Sequence, residues 1–276
     1  MTAFKHSVGR NPIVLDLLCG DGGCAHGLQK LGCSCIGIDW SLRCCQAYRA
    51  LGYPCHCMDV YAPDTLSFIL RHLEFDAIVC SPDCRGYSNC SSLNKPSQEP
   101  RQVPEARELC LRIAAQRLQT RGQHVPFWIE NVPNALSPWQ HMQADRCVLL
   151  CGTQFGLHTY RHRVFECHGF PVVRMPPCNH VHDVHCCGAK QPLRRQGVRP
   201  CCAGNMHTVV GRHHSANNTV HMQLQALGLP IDFDHGAACQ AVPPLYAAWL
   251  GASLCCGLQL SVSHDSCEYL SQMLSV

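Results

Sequence analysis

Cys84 is the side chain in this sequence with the clearest setting for nucleophilic chemistry. It follows Phe75–Val79, an apolar run typical of a buried strand, and Ser81 and Pro82 turn the chain outward before it. A thiol at the carboxyl end of a strand lies where open α/β sheets bind their ligands. The chain contains 24 cysteines, so Cys84 taken alone is more simply interpreted as one more cysteine among them.

Two further motifs carry charged side chains next to apolar strand residues. Glu130 follows Trp128-Ile129, and a carboxyl group in apolar company has a raised pKa and can donate a hydrogen bond to a ring nitrogen. A salt-bridged or helix-capping glutamate is the alternative. Arg161 and Arg163 share a face if the chain is extended, which gives two donors for a phosphate or a base oxygen.

A glycine-rich turn, Cys19–Gly23, separates a predicted strand from a predicted helix. Glycines let a ligand approach the main chain, and the spacing is not that of a phosphate-binding P-loop. Asp39 ends the next strand, where an acid accepts from ribose hydroxyls, and Trp40 beside it could stack on an adenine. Asp59 follows a third strand and could accept from an exocyclic amine. Each acid alone is equally explained as a helix cap, but together they predict an adenosine pocket.

The elements that must position these residues alternate between strands and helices. Apolar runs predict strands over 13–18, 35–39, 56–59, 75–80, 127–133, 147–151 and 164–166. Helical spacing predicts helices over 24–31, 42–51, 63–73, 104–121, 220–227 and 245–258. This order predicts an α/β fold with a doubly wound, mostly parallel sheet.

The composition is that of a globular chain, with 46% hydrophobic and 15% charged residues over 276 positions. No apolar run approaches the roughly 20 residues of a membrane span, and 1–10 lack an apolar signal core, so we expect an intracellular, cytoplasmic protein with reduced thiols and no membrane contact. Residues 161–221 carry eight Arg or Lys and two acids, a charge of +6 in a chain of net charge +3. A basic segment predicts a polyanion contacted locally, although a solvated loop explains it equally well.

From 168 the strand and helix patterns fade. We predict a catalytic domain over 1–167, a small irregular lobe over 168–235 and a C-terminal segment over 236–276 that returns to the first domain. The polar stretch 89–103 predicts a mobile loop over the site. The lobe is rich in possible zinc ligands, but none of their spacings matches a recognised zinc motif, and we predict no metal ligands. These candidates are Cys178, His180, His182, His185, Cys186, Cys187, Cys201, Cys202 and His207.

These motifs, in this order, resemble those of the cytosine-C5 DNA methyltransferases, especially the compact bacteriophage forms. The matching stretches are Asp16–Gly23, Asp39-Trp40, Asp59, Ser81–Ser88, Glu130–Val132, Arg161–Arg163 and Ala241–Pro244. The resemblance implies a Rossmann-like fold of the class I methyltransferases, S-adenosylmethionine as methyl donor and double-stranded DNA as partner. It implies that the cofactor is bound by Asp16, Leu17, Cys19, Gly20, Gly22, Gly23, Asp39, Trp40, Asp59, Ser81 and Pro82.

The resemblance also implies roles in the chemistry. The family's target cytosine is flipped out of the duplex. The thiolate of Cys84 would add to C6, and Glu130 would hold N3 and the exocyclic amine. Arg163 would contact O2 of the base or a nearby phosphate, with Arg161 in support. The region 168–235 would recognise the target, and we expect a monomer with no obligate protein partner.

The sequence departs from the family pattern beside the thiol. Asp83 stands where the family usually has a second proline, and Arg85 stands where it has glutamine. A carboxylate beside Cys84 should raise the thiol's pKa, and Arg85 should oppose this. Two alternatives therefore stay open: the same chemistry on RNA or a pyrimidine nucleotide, and a weakly active relative that binds DNA and cofactor. The biological setting, such as restriction–modification or phage counter-defence, stays open too.

Overall fold

A computed structural model describes residues 10–88, 100–172, 175–178, 219–230 and 233–258. Its strands are β1 (Ile13–Leu17), β2 (Ser34–Asp39), β3 (Cys55–Cys57), β4 (Ala77–Cys80), β5 (Phe127–Asn131), β6 (Cys147–Leu150) and β7 (Arg163–His168). Its helices are α1 (Gly23–Gln29), α2 (Leu42–Ala50), α3 (Pro63–His72), α4 (Val103–Arg121), α5 (Val220–Leu227), α6 (His235–Ala238) and α7 (Pro244–Gly257). Residues 89–99 of the predicted loop, residues 179–218 of the predicted lobe, and every predicted zinc ligand except Cys178 lie outside the described residues.

The strands form one sheet in the order β3-β2-β1-β4-β5-β7-β6. The five strands from β3 to β5 are parallel, and the chain reverses its winding direction at β1, as in doubly wound sheets. The predicted α/β fold with a mostly parallel sheet is confirmed. β7 is inserted antiparallel between β5 and β6. Because Asn131 pairs with Val164, the start of β7 lies beside the end of β5.

The third strand ends earlier than predicted. β3 ends at Cys57, two residues before Asp59. The main-chain carbonyl of Asp59 accepts from Thr65 Oγ1 at 2.6 Å, and its carboxylate accepts from the Tyr61 amide at 3.0 Å. Asp59 therefore belongs to the turn that leads into α3 rather than to the strand.

The two faces of the sheet are covered by different helices. α1 and α7 pack together on one face, and α3 and α4 contribute to the core on the other. α7 is apolar around most of its circumference, which is typical of a buried helix, and Tyr246, Leu250 and Leu254 are fully buried. Glycines allow the close approach of this pair: a Cβ at Gly27 would lie 2.8 Å from the carbonyl carbon of Pro244.

Most of the cysteines in the described ranges serve as small core residues. Cys33, Cys35, Cys80 and Cys151 are each at most 3% exposed, in agreement with the apolar runs in which they occur. The described cysteines are free thiols. None of the helices in the described ranges is both long enough and apolar enough to cross a membrane.

Candidate active site

The glycine loop leaves β1 through a run of left-handed backbone conformations. Leu18 has φ 56°, Gly20 has φ 52° and Gly22 has φ 91°. A leucine in this region is strained, and such strain concentrates where a site requires a particular backbone path. A Cβ added at Gly20 would meet no atom within 4 Å, so the main chain is open there. The loop thus presents accessible backbone next to the end of β1.

The other two glycines of the loop are required for packing. A Cβ at Gly22 would lie 3.0 Å from Leu51 Cδ1 and 3.2 Å from Tyr48 Cδ2. A Cβ at Gly23 would lie 2.8 Å from the carbonyl oxygen of Val242. The sequence predicted all three glycines as cofactor contacts, but Gly22 also lets α2 approach the loop, and Gly23 lets the segment before α7 approach it.

Two of the aspartates predicted to bind the cofactor make hydrogen bonds within the protein. The carboxylate of Asp39 accepts from the Gly20 amide at 3.0 Å and from the Ser41 amide at 2.8 Å. Asp16 is fully buried and accepts from the Tyr48 hydroxyl at 3.2 Å. Burial raises the pKa of Asp16 to about 8, because the charged form loses its hydration. Asp39 therefore holds the main chain of the loop at Gly20, Asp16 contacts Tyr48 of α2, and neither acid lines the pocket described below.

Three other predicted cofactor residues also lie away from that pocket. Leu17 is buried in the core. Trp40 is 71% exposed after β2. Asp59 is exposed in the turn after β3. Trp40 and Asp59 therefore follow neighbouring strands at the carboxyl edge of the sheet, on the surface.

Cys84 lies in a turn that is anchored on both sides. Its carbonyl accepts from the amides of Tyr87 and Ser88 at 2.9 Å each. Tyr87 is buried, and its hydroxyl lies 2.9 Å from Nδ1 of His141. On the other side, Asn131 Nδ2 donates to the carbonyl of Pro82 at 2.9 Å. The Cys84 thiol is therefore held in place while remaining partly accessible.

The carboxylate of Asp83 is engaged by Arg85. It accepts from the Arg85 amide at 2.8 Å and from Arg85 Nε at 2.6 Å. The pKa of Cys84 is raised chiefly by burial, and the charge of Asp83 makes the smallest of the contributions. The sequence predicted that Asp83 would raise the pKa of the thiol and that Arg85 would oppose this, whereas the structure assigns most of the rise to desolvation of the thiol.

Glu130 and Arg163 form a buried ion pair next to Cys84. Glu130 is 5% exposed on β5, and its Oε1 lies 2.8 Å from Arg163 Nε, although the atoms are not aligned as a hydrogen bond. Burial raises the pKa of Glu130, and the positive charge of Arg163 opposes this rise without cancelling it. A raised pKa agrees in direction with the expectation for a carboxyl group in an apolar strand.

Arg161 occupies a different position from Arg163. Its guanidinium donates to the main-chain carbonyls of Cys239 at 2.8 Å and Ala241 at 2.9 Å. Its own carbonyl accepts from the Tyr246 hydroxyl at 2.5 Å. Arg161 joins the start of β7 to the segment that leads into α7, and it is not among the residues that line the pocket.

One pocket brings together much of the predicted site. The predicted residues that line it are Cys19, Gly20, Gly23, Ser81, Pro82, Cys84, Glu130 and Arg163. The segment from Gln240 to Val242 forms part of its wall. The glycine loop, a thiol, a buried carboxyl group and an arginine therefore share one cavity at the carboxyl ends of β1, β4 and β5, the location expected for ligands in such a sheet.

Comparison with known proteins identifies the family. A profile of the family described as C-5 cytosine-specific DNA methylase matches residues 13–166. The chain belongs to this family. Its class of enzyme is therefore DNA cytosine methyltransferase, and the predicted membership is confirmed. A search among curated proteins finds no matching sequence.

Solved structures of other methyltransferases share the fold of this methylase. A DNA modification methyltransferase encoded within a prophage of E. coli is 14% identical, with a TM-score of 0.54, over 90% of this chain and 100% of its own. The S. pombe Dnmt2 methyltransferase is 13% identical, with a TM-score of 0.54, over 91% of this chain and 100% of its own. At this identity the likeness shows the fold.

No local pattern in the sequence predicted one charged pair in the pocket of this methylase. Asp21 is buried in the glycine loop and accepts from Arg43 Nη1 at 2.8 Å and Nη2 at 2.9 Å. Both residues line the pocket. Arg43 also approaches Asp234 at 3.8 Å, which links α2 to the residues before α6. The partners are too far apart in sequence for a spacing rule to pair them, so the fold was needed to find this contact.

Proposed function

We propose that this chain transfers a methyl group from S-adenosylmethionine to C5 of a cytosine in double-stranded DNA, with Cys84 as the nucleophile. The observation that carries the proposal is that Cys84, Glu130 and Arg163 line the same pocket as the glycine loop. Family membership supports DNA as the substrate. The double-stranded form of that DNA and a monomeric enzyme are parts of the proposal.

The residues of the pocket suit S-adenosylmethionine. Bound there, the cofactor supplies a methyl group on a positively charged sulfur. Gly20 offers open main chain, and Ser81 Oγ is buried with no hydrogen-bond partner among the described residues. Such an unsatisfied buried group is costly unless a ligand satisfies it. We infer that Gly20 and Ser81 contact the cofactor, while Asp39 holds the loop in the shape that receives it.

Cys84 forms the covalent bond to C6 of the cytosine. The thiolate is the reactive form, and burial raises the pKa of Cys84, so the thiol must lose its proton when the base is bound. The charges of Arg163 and Arg161 favour the thiolate, and an ionised Glu130 would oppose it. A protonated Glu130 therefore assists Cys84 by removing a negative charge beside it.

Glu130 and Arg163 hold the base during this addition. A protonated Glu130 donates to N3, which accepts electron density when the thiolate adds to C6. Because Arg163 already lies 2.8 Å from Glu130, it reaches the same edge of the base and can donate to O2 or to a nearby phosphate. After methyl transfer, loss of the C5 proton and of the Cys84 thiolate restores the aromatic ring.

A trapping experiment tests this function. DNA containing 5-fluorocytosine lacks the C5 proton, so incubation with S-adenosylmethionine should leave a covalent adduct that survives denaturation. The adduct should be absent in Cys84→Ser and present in Cys147→Ser, a matched change of a partly buried thiol on β6. No adduct on any DNA, with cofactor still bound, would favour a binding protein. An adduct on RNA alone would favour the RNA alternative.

A further inference from the structure

A second cluster of reactive side chains lies outside the pocket. The Sγ atoms of Cys151 and Cys178 and a ring nitrogen of His162 all lie within 4.8 Å of one another. Cys178 Sγ and His162 Nε2 are 3.6 Å apart. Cys151 is buried, and the other two residues are partly exposed. The methyl-transfer chemistry proposed above uses none of these three side chains.

The sheet explains why two of these residues meet. Leu150 at the end of β6 pairs with Arg163 at the start of antiparallel β7. The next pair along this ladder is Cys151 and His162, so the two face each other just beyond the last paired residues. Antiparallel neighbours of this kind have side chains close enough to share a ligand. The strand register therefore fixes two of the three groups.

The third residue is held by a separate contact. Gln154 Oε1 accepts from the Cys151 amide at 2.7 Å, while its Nε2 donates to the carbonyl of Pro176 at 2.6 Å. Gln154 thus connects the turn at Cys151 to the segment that carries Cys178. Gly152 lets this turn approach Thr159, because a Cβ there would lie 2.9 Å from Thr159 Cγ2. The backbone positions of the cluster are thereby set without a bound ion.

One separation in the cluster matches what a zinc ion requires, and the others are at most 4.8 Å. Zinc binds thiolate sulfur at about 2.3 Å and imidazole nitrogen at about 2.0–2.1 Å in a tetrahedron. These values place sulfur and nitrogen ligands about 3.6 Å apart and two sulfur ligands about 3.8 Å apart. The observed separation of Cys178 Sγ and His162 Nε2 is 3.6 Å. Two sulfurs and one imidazole select zinc over magnesium or calcium, which prefer oxygen ligands.

We propose that Cys151, His162 and Cys178 bind a structural zinc ion that fastens the segment after β7 to the adjoining ends of β6 and β7. Two thiolates and one neutral imidazole give the ion three protein ligands, and a further donor completes the tetrahedron. The ion holds His162, whose carbonyl accepts from Arg163 Nη1 at 2.8 Å. Zinc at this position therefore steadies the arginine that pairs with Glu130.

Metal content of variants tests the proposal. The full chain, purified reduced and without chelators, should contain one zinc ion that is lost in Cys178→Ser and in His162→Asn. Cys147→Ser on β6 and His158→Asn on the same connection as His162 serve as matched controls and should keep it. Co²⁺ in place of zinc should show sulfur-to-metal charge-transfer and tetrahedral d–d absorption. Loss of a residue that only hydrogen-bonds to a metal ligand lowers metal affinity by roughly 10–100-fold. Loss of a ligand itself, in Cys178→Ser, should lower Co²⁺ affinity by at least as much.

A second measurement needs no variant. Zinc should slow alkylation of Cys178 in the native chain, because the thiolate that would react is bound to the metal, with no effect on Cys147, which is also partly buried. A chelator should restore the reaction. Zinc retained at full occupancy in folded Cys178→Ser and His162→Asn, or equal alkylation of Cys178 with and without zinc, would overturn the proposal. In that case Cys178 and His162 form a thiol–imidazole hydrogen bond and nothing more. The covalent adduct between Cys84 and 5-fluorocytosine is measured independently of zinc content, so either proposal can fail without the other.

Discussion

Replacing Gly27 with alanine sets two physical effects against each other in α1. Alanine favours a helix interior over glycine by about 1 kcal/mol, so propensity alone predicts a more stable protein. A methyl group at Gly27 would lie 2.8 Å from the carbonyl carbon of Pro244, nearer still to its oxygen, and 3.0 Å from Ala247 Cβ. Contacts become ordinary at 3.4 Å, so α1 and α7 must separate by at least 0.6 Å. Overpacking of this kind costs about 1–3 kcal/mol, and a main-chain obstacle belongs at the upper end of that range. We therefore expect a net loss of about 2 kcal/mol.

Gly251→Ala on α7 is the matched control for this change. It offers the same gain in helix propensity at the same interface, but its methyl group would meet Leu28 Cδ2 at 2.7 Å and Leu31 Cδ1 at 2.8 Å. These are the ends of side chains that can rotate away, so its stability should stay within about 1 kcal/mol of the parent protein. Urea unfolding followed by circular dichroism measures the stability of both variants: a shift of the unfolding midpoint with an unchanged slope reports a change in the free energy of unfolding. A Gly27→Ala protein as stable as the parent would refute the argument from close packing.

Three further predictions concern the titratable groups of the site. Glu130→Gln should lower turnover by roughly 10²–10⁴ with little change in cofactor affinity, and unchanged turnover would remove Glu130 from the mechanism. Asp83→Asn should lower the pKa of Cys84 by less than about 0.7 unit, because Asp83 is already paired with Arg85 and exposed charge pairs contribute at most about 1 kcal/mol. The pKa is measured from the rate of Cys84 alkylation as a function of pH, followed on the peptide that contains it. A shift of more than about one unit would contradict this prediction. Burial raises the pKa of Asp16 from 3.8 to about 8, so the stability of the parent protein should fall as pH rises between these values, by at most about 1.4 kcal/mol per unit. The side chain introduced by Asp16→Asn stays neutral, so the stability of this variant relative to the parent protein should increase as pH rises over that interval. The free energies of unfolding are measured with urea at several pH values, and the same pH dependence for both proteins would exclude a raised pKa of Asp16.

Much of the fold follows from patterns that are local in the sequence. Short apolar runs that end in an acid or a glycine predicted the strands, and the alternation with helices predicted their parallel arrangement. Such patterns did not predict the insertion of β7 between β5 and β6, because β5 pairs with β7 rather than with β6, the next strand in the sequence. That insertion is what brings Arg163 to Glu130 and His162 to Cys151.

The site shows the same division between local and long-range information. A carboxyl group in an apolar strand predicted the direction of the pKa shift at Glu130. Asp83 was expected to act on its sequence neighbour Cys84, but its carboxylate accepts from Arg85 instead. Arg161 and Arg163 were assigned a shared face, yet Arg161 donates to the carbonyl of Ala241. For Asp83 and Arg161 the partner of the side chain, rather than its residue type, decided the outcome.

The contact between α1 and α7 also sets an order for folding during synthesis. Gly27 and Pro244 are neighbours in the folded chain but are separated by 217 positions, the difference of their numbers. At about 5–20 residues per second, a ribosome needs roughly 10–40 s to deliver the second helix after the first. During that interval the apolar surface of Leu28 and Leu31 lacks the helix that covers it. The pocket that holds Cys84 has Val242 in its wall and therefore takes shape only late in translation, and we expect a nascent chain to become active only after α7 has emerged.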